Sequence, residues 1–207
     1  MPKSVHVTER ARSAPPAGKP HRVCPWWMGY LLASPVRRVF QNPSDVFAGQ
    51  VRAGMTVLEP GPGMGFFTLE LARQVGAAGR VIAVDIQPRM IEGLKRRAAK
   101  AGVLERVDVR LARPDSMGLA DLAGRVDFTL ACAVVHELPA AAPFFREVAE
   151  VSKPGARLLL VEPSGHVNEA LFTAEVRAAR EAGFEVDSRP RLRGNRTALL
   201  VKPAGGV

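Results

Sequence analysis

Cysteine and tyrosine are scarce in this chain, with two of one and one of the other among 207 residues. Cys24 and Cys132 stand far apart in sequence. They offer neither a disulfide framework nor the paired spacing of a zinc site, so no metal is expected and a reducing, cytoplasmic setting is the simplest. No apolar run approaches the roughly 20 residues that cross a bilayer, so no membrane span is expected. No apolar stretch follows the N-terminal charges, which argues against a secretory signal. Acid is also in short supply. Twenty Asp and Glu face 29 Lys and Arg, a net charge of +9. Residues 1–22 hold +4 of it, through Lys3, Arg10, Arg12, Lys19 and Arg22 against Glu9. A basic balance attracts anions. No basic stripe interleaved with aromatics accompanies it, so nucleic acid is not expected as a partner and an arginine-rich solvated surface is.

Hydrophobic residues make up 47% of the chain, enough for one ordinary globular domain with an appended arm. Residues 1–22, with Ser13-Ala14-Pro15-Pro16-Ala17-Gly18, read as a disordered basic arm. Residues 23–50 read as an N-terminal helical lid. Cys24-Pro25-Trp26-Trp27-Met28-Gly29-Tyr30 leads into a short helix that Pro35 interrupts, and Asn42-Pro43-Ser44-Asp45 resembles a second helix start. Residues 51–207 are regular. Strands are predicted at Thr56–Glu59, Arg80–Val84, Val107–Leu111, Val126–Ala131 and Arg157–Glu162, and helices near Phe66–Val75, Pro88–Ala101 and Ala140–Val151. This alternation predicts βαβ units around a parallel sheet. A helix over Asn168–Ala182, capped by Gly183, then precedes two strands, Phe184–Asp187 and Thr197–Lys202, joined across the turn-rich Arg191–Asn195.

The first strand runs into Glu59-Pro60-Gly61-Pro62-Gly63-Met64-Gly65. Gly61, Gly63 and Gly65 are spaced G-x-G-x-G, unlike the dinucleotide fingerprint G-x-G-x-x-G, and no Walker-type lysine follows. Glycines here let the backbone turn tightly and approach a ligand. Asp85, twenty residues on, closes the apolar second strand, where an acid can accept hydrogen bonds from the ribose hydroxyls of an adenosine. Glu59 ends the first strand, where a carboxylate can meet the ammonium of an amino-acid moiety.

These segments resemble class I S-adenosylmethionine-dependent methyltransferases of the small-molecule, methyltransferase type 11 or quinone-biosynthesis-like kind. Glu59 to Gly65 looks like their motif I, and Asp85 matches the acid closing the second strand. Val126-Asp127-Phe128 to Leu138 resembles the fourth-strand region, and Lys153-Pro154-Gly155-Ala156 with Arg157 to Pro163 resembles their "LKPGG" turn and fifth strand. Glu59 departs from the commoner aspartate, and Ala156 from the second glycine of that turn. The resemblance covers about residues 50–202. It implies a Rossmann-like three-layer α/β sandwich with a seven-stranded, mostly parallel sheet whose last strand is antiparallel. It also implies S-adenosyl-L-methionine as cofactor and in-line methyl transfer to a small-molecule acceptor, from a monomer or homodimer.

The expected cofactor set is Glu59, Gly61, Gly63, Gly65, Asp85 and its neighbour Ile86, Asp115 and Ser116 after the third strand, and Ala131 closing the fourth. Asp115 equally fits a surface loop. His136 follows the fourth strand, at the carboxyl edge where open α/β sheets bind ligands. It is a candidate general base or, on an even reading, a helix-capping histidine. His166, after the fifth strand, and the aromatics Trp26, Trp27 and Tyr30 are candidates for holding the acceptor. A nucleic-acid or protein methyltransferase and a non-catalytic cofactor-binding protein are the alternatives. Ala131-Cys132-Ala133-Val134-Val135 lacks the Asn/Asp-Pro-Pro-Tyr/Phe pattern of base methylation, and the intact glycine loop argues against the second.

Overall fold

The central apolar runs of strand length are buried on both faces, and the helices that follow are amphipathic, so the chain winds helices onto both sides of one sheet. The structure is a computed structural model that describes residues 42–205. The expected arm, Cys24, and the lid residues Trp26, Trp27 and Tyr30 lie outside the described residues.

Seven strands form the sheet: β1 (Thr56–Pro60), β2 (Arg80–Asp85), β3 (Val107–Leu111), β4 (Val126–Cys132), β5 (Ser152–Pro163), β6 (Glu185–Ser188) and β7 (Asn195–Val201). Their order is β3-β2-β1-β4-β5-β7-β6. Strands β1 to β5 pair in parallel, and β7 runs antiparallel to both β5 and β6. The order reverses between β1 and β4, and such a switch point opens a crevice at the carboxyl ends of the strands. Five helices accompany the sheet among the described residues: α1 (Pro43–Val46), α2 (Thr68–Val75), α3 (Pro88–Lys100), α4 (Ala141–Val151) and α5 (Glu169–Glu181). Asn42 caps α1 by accepting from the Ser44 N–H, and Asn168 caps α5 by accepting from the Leu171 N–H.

The period-two alternation of the strands divides the core. Val57, Val81 and Phe128 face a cluster with Phe47, Leu71 and Leu94, under α1 to α3. Leu58, Ile82 and Leu160 face the other, with Phe145 and Val148 of α4 and Phe172 and Val176 of α5. At the amino edge, Asp127 accepts from the Thr56 N–H at 2.8 Å and from Lys153 Nζ at 2.5 Å, tying the starts of β1, β4 and β5 together.

Most boundaries shift by a residue or two from the sequence expectation, and two shifts have a clear structural cause. Strand β5 begins at Ser152, five residues before Arg157, because Ser152 pairs with Val126 while Arg157 pairs with Phe128. The Lys153–Ala156 turn is thus a bulge inside one strand, with Gly155 at φ +79°. Helix α2 begins at Thr68, since Phe66 and Phe67 are still in the turn that leaves the glycine loop.

Candidate active site

The glycine loop closes the gap between β1 and α2, and three contacts fix its path. Gly61 N–H donates to Val84 O at 2.9 Å, Gly65 N–H donates to Pro62 O at 2.9 Å, and the Arg97 guanidinium of α3 donates to Met64 O. All three motif glycines have positive φ, but their surroundings differ. A Cβ on Gly61 would lie 2.8 Å from Val134 Cγ2, and one on Gly65 would lie 2.4 Å from Leu94 Cδ1. A Cβ on Gly63 would meet nothing within 4 Å. Gly61 and Gly65 therefore serve packing, against the β4 loop and α3. Gly63 faces open space, the one place in the loop where a ligand can lie against bare backbone.

That space is a cavity of about 790 Å³ at the carboxyl edge of β1, β2, β4 and β5. Glu59, Gly61, Gly63, Asp85, Ile86, Asp115, Ser116, His136 and His166 all border it. Ala131 and Gly65 do not. Ala131 is fully buried in the core. Its neighbours Leu130 and Cys132 reach the cavity instead, as alternation along a strand requires. Asp115 sits on the outer rim, its side chain 85% exposed and 4.0 Å from Arg113. The Ser116 hydroxyl is committed to Glu147 of α4, whose Oε2 also accepts the Met117 N–H at 2.9 Å. Glu147 thereby holds the loop after β3 against α4.

Two buried carboxylates stand at the floor. Asp85 accepts the Gln87 N–H on Oδ1 at 2.8 Å and the Gly63 N–H on Oδ2 at 3.2 Å, which welds the end of β2 to the glycine loop. Each oxygen retains a lone pair for a further donor. Burial pushes the Asp85 carboxyl above its ordinary range, against the lowering effect of those N–H groups. Glu59 is only 3% exposed, and its Oε2 has no hydrogen-bond partner among the described residues. Burial pushes its pKa up to about 8. The Thr68 hydroxyl, near but without hydrogen-bond geometry, offsets part of this, and the charge of Asp85 adds to it. A buried acid left without a donor is costly unless something cationic meets it.

Opposite, β4 ends at Cys132 and Ala133 takes φ +54°. A left-handed alanine costs ~1 kcal/mol. It turns the chain into a short 3-10 segment, Val135–Glu137, that carries His136 to the cavity wall. His136 Nδ1 lies 2.5 Å from Oε2 of Glu162, and Glu162 Oε1 accepts the Val135 N–H at 2.9 Å. Glu162, the penultimate residue of β5, is fully buried. With Nδ1 engaged by the carboxylate, Nε2 is the imidazole nitrogen left for another partner. The hydrogen bond to Glu162 raises the His136 pKa above 6.5, against the opposing effect of burial. The His166 ring stacks edge-on to His136 at 5.9 Å between centroids. Glu175 of α5 is 2% exposed, neither of its oxygens has a hydrogen-bond partner among the described residues, and burial with the nearby charge of Glu162 raises it to about 7.

Glu162 and Glu175 were not among the sequence-predicted site residues. Glu162 carried a legible sign, an acid closing an apolar run, Leu158–Val161, as Glu59 and Asp85 do in their strands. Glu175 carried a subtler one. It occupies a core position, between Phe172 and Val176, on the buried stripe of α5.

A family described as a methyltransferase domain matches residues 52–188. A ubiquinone/menaquinone biosynthesis C-methyltransferase, UbiE, of Klebsiella pneumoniae is 30% identical over 147 residues, 71% of this chain. The chain spans little more than half of that relative, 57% of its length. Among solved structures, a SAM-dependent methyltransferase from Aquifex aeolicus superposes with a TM-score of 0.76 at 24% identity, covering 86% of this chain and 98% of its own. The cyclase SpnF superposes at 0.67 with 18% identity, covering 78% and 80%. At these identities the structural likeness speaks for the fold.

Proposed function

The chain belongs to the methyltransferase domain family, and from that premise we propose that it transfers a methyl group from S-adenosyl-L-methionine to a small-molecule acceptor. One observation carries the reading: the buried Glu59 carboxyl, whose Oε2 has no hydrogen-bond partner among the described residues, and the Asp85 carboxyl flank the bare backbone of Gly63 on one cavity wall. That donor set fits the cofactor. Glu59 would receive the ammonium of its amino-acid end, Asp85 the ribose hydroxyls, and Gly63 would allow close approach. Ile86, Asp115 and Ser116 border the same end. When bound, the cofactor supplies an electrophilic methyl on a sulfonium sulfur.

The chain's own residues then have three tasks. The glycine loop and Asp85 fix position, which can contribute a large share of the rate by orientation. The apolar wall, with Phe66, Met117, Leu138 and Phe144, excludes water around the acceptor. His136, held by Glu162, takes the acceptor's proton at Nε2 as the new bond to carbon forms. His166 lies beside it as an acceptor contact. Trp26, Trp27 and Tyr30 remain proposed lid residues. The reading includes a cytoplasmic setting, which suits two widely separated cysteines, and a monomer or homodimer. No helix among the described residues is long and apolar enough to cross a membrane.

Isothermal titration with S-adenosylhomocysteine and with NADH tests the cofactor assignment, and release of S-adenosylhomocysteine from a panel of apolar hydroxyl, thiol and activated-carbon acceptors tests turnover. Heat from NADH alone would overturn the reading. Tight cofactor binding with no turnover on any acceptor would favour a non-catalytic binding protein.

A further inference from the structure

The antiparallel last strand has a consequence at the carboxyl edge. Because β7 runs against β5, its first residue, Asn195, pairs with Pro163, the last residue of β5. The β6–β7 connection is therefore carried to the ligand edge of the sheet. It is pinned there: Ser164 donates to Gly194 O through both its N–H at 3.0 Å and its hydroxyl at 2.9 Å, and Asn195 Nδ2 donates to Arg193 O at 2.9 Å. The Thr197 hydroxyl donates to Pro190 O.

This connection carries Arg189, Arg191 and Arg193 and no acid, and Arg196 follows as the second residue of β7. The four arginines line a depression of about 320 Å³ whose single carboxylate is Glu169. Glu169 sits 3.9 Å from Arg189 and 3.4 Å from Arg196. Arg189 also lies over the Phe172 ring at 5.8 Å. Arg191 and Arg193 are exposed and have no carboxylate within ion-pair distance among the described residues. Asn195 borders both this depression and the main cavity. An apolar chamber thus adjoins a cationic shelf.

We infer that Arg191 and Arg193, on the shelf built with Arg189 and Arg196, form a docking site for an anionic group, phosphate or carboxylate, on a methyl acceptor whose body is apolar. Guanidinium forks match the planar or tetrahedral oxygens of such groups, and three on one short loop with a fourth at the start of β7 far exceed what Glu169 neutralises. The acceptor role rests on the methyl-transfer reading, but the anion site does not. The anion can belong to a free amphiphile or to a lipid headgroup.

The test compares the full chain with R191Q/R193Q and with R52Q/R80Q, which removes the same charge from the opposite edge of the sheet. Titration with monomeric dodecyl phosphate and with dodecanol reads the free-anion arm. Co-sedimentation with phosphatidylglycerol vesicles and with phosphatidylcholine vesicles reads the headgroup arm. The wild type is expected to prefer the anionic probe in at least one arm by about ten- to hundredfold, the range of charge-assisted hydrogen bonds. R191Q/R193Q loses that preference and R52Q/R80Q keeps it. Absence of preference in both arms, its survival in R191Q/R193Q, or its equal loss in R52Q/R80Q would overturn the inference. Titration of all three proteins with S-adenosylhomocysteine separates the two ideas. Failure there removes the methyl-transfer reading and leaves the anion result standing by itself.

Discussion

Glu59 should make cofactor binding release a proton. Burial pushes its carboxyl up to about 8 in the free protein, and its Oε2 has no donor among the described residues. If its role is to face an ammonium, only the ionised form is competent, and apparent affinity scales with the ionised fraction. That fraction is about 1% at pH 6, about 10% at pH 7 and about half at pH 8. Affinity for S-adenosylhomocysteine, whose amino group stays protonated across that window, should therefore rise about 50-fold from pH 6 to pH 8. At pH 7 roughly 0.9 proton should be released per ligand bound. Titration calorimetry at pH 7 in two buffers of different ionisation enthalpy counts that proton directly. Glu59→Gln should bind more weakly at pH 8 and show no pH dependence, since the amide cannot ionise. A flat affinity from pH 6 to pH 8 in the wild type, with no proton released, would refute the reasoning and leave Glu59 as a buried structural acid.

Three further outcomes follow from the same geometry. With a known acceptor, turnover should fall as pH drops through the raised pKa of His136, because the base must be neutral; Glu162→Gln should move that limb to lower pH, and His136→Ala should cost ~10²–10⁴ in turnover while S-adenosylhomocysteine affinity holds. Gly65→Ala should lower stability by about 1–3 kcal/mol in urea unfolding, since its Cβ would meet Leu94 at 2.4 Å, whereas Gly63→Ala should mainly abolish cofactor binding by filling open space. Glu175, raised to about 7 when folded, binds its proton more tightly there than in the unfolded chain, so its contribution is full below pH 4.5 and is lost as pH rises through 7; Glu175→Gln should flatten the fall in melting temperature between pH 4.5 and 8, worth up to about 3 kcal/mol.

The topology was legible because the central strands carry mostly apolar runs and the longer helices show a one-sided stripe, signals that survive without knowing what packs on what. Register was not. Nothing local in Ser152-Lys153-Pro154-Gly155 says that Ser152 already pairs with Val126, because a bulge is defined by the partner strand. Ala131 shows the same limit at the site. Position along β4 brought it to the right edge, but which face it takes depends on the alternation of Leu130 and Cys132, and the cavity lies on theirs. The acceptor side was the least legible, since the His136 ring gains a defined orientation only from a residue 26 positions away.

That distant partner belongs to a pattern. Glu59 on β1, Asp85 on β2 and Glu162 on β5 are each buried and each lie at the last or penultimate position of an apolar strand. A parallel sheet makes this the natural place for a buried acid. The strand interior supplies rigidity, and the residue at its carboxyl end meets the cavity while its neighbours stay in the core. What separates the three is what already answers their charge. Asp85 is met by two backbone N–H groups and Glu162 by a histidine and a backbone N–H, while Glu59 Oε2 has nothing. The two answered acids organise the loops that border the cavity, one holding the glycine turn and the other holding His136. The unanswered acid is the one with a charge left for a ligand to meet, which is why the proposed cation-binding role falls to Glu59 although all three share one structural position.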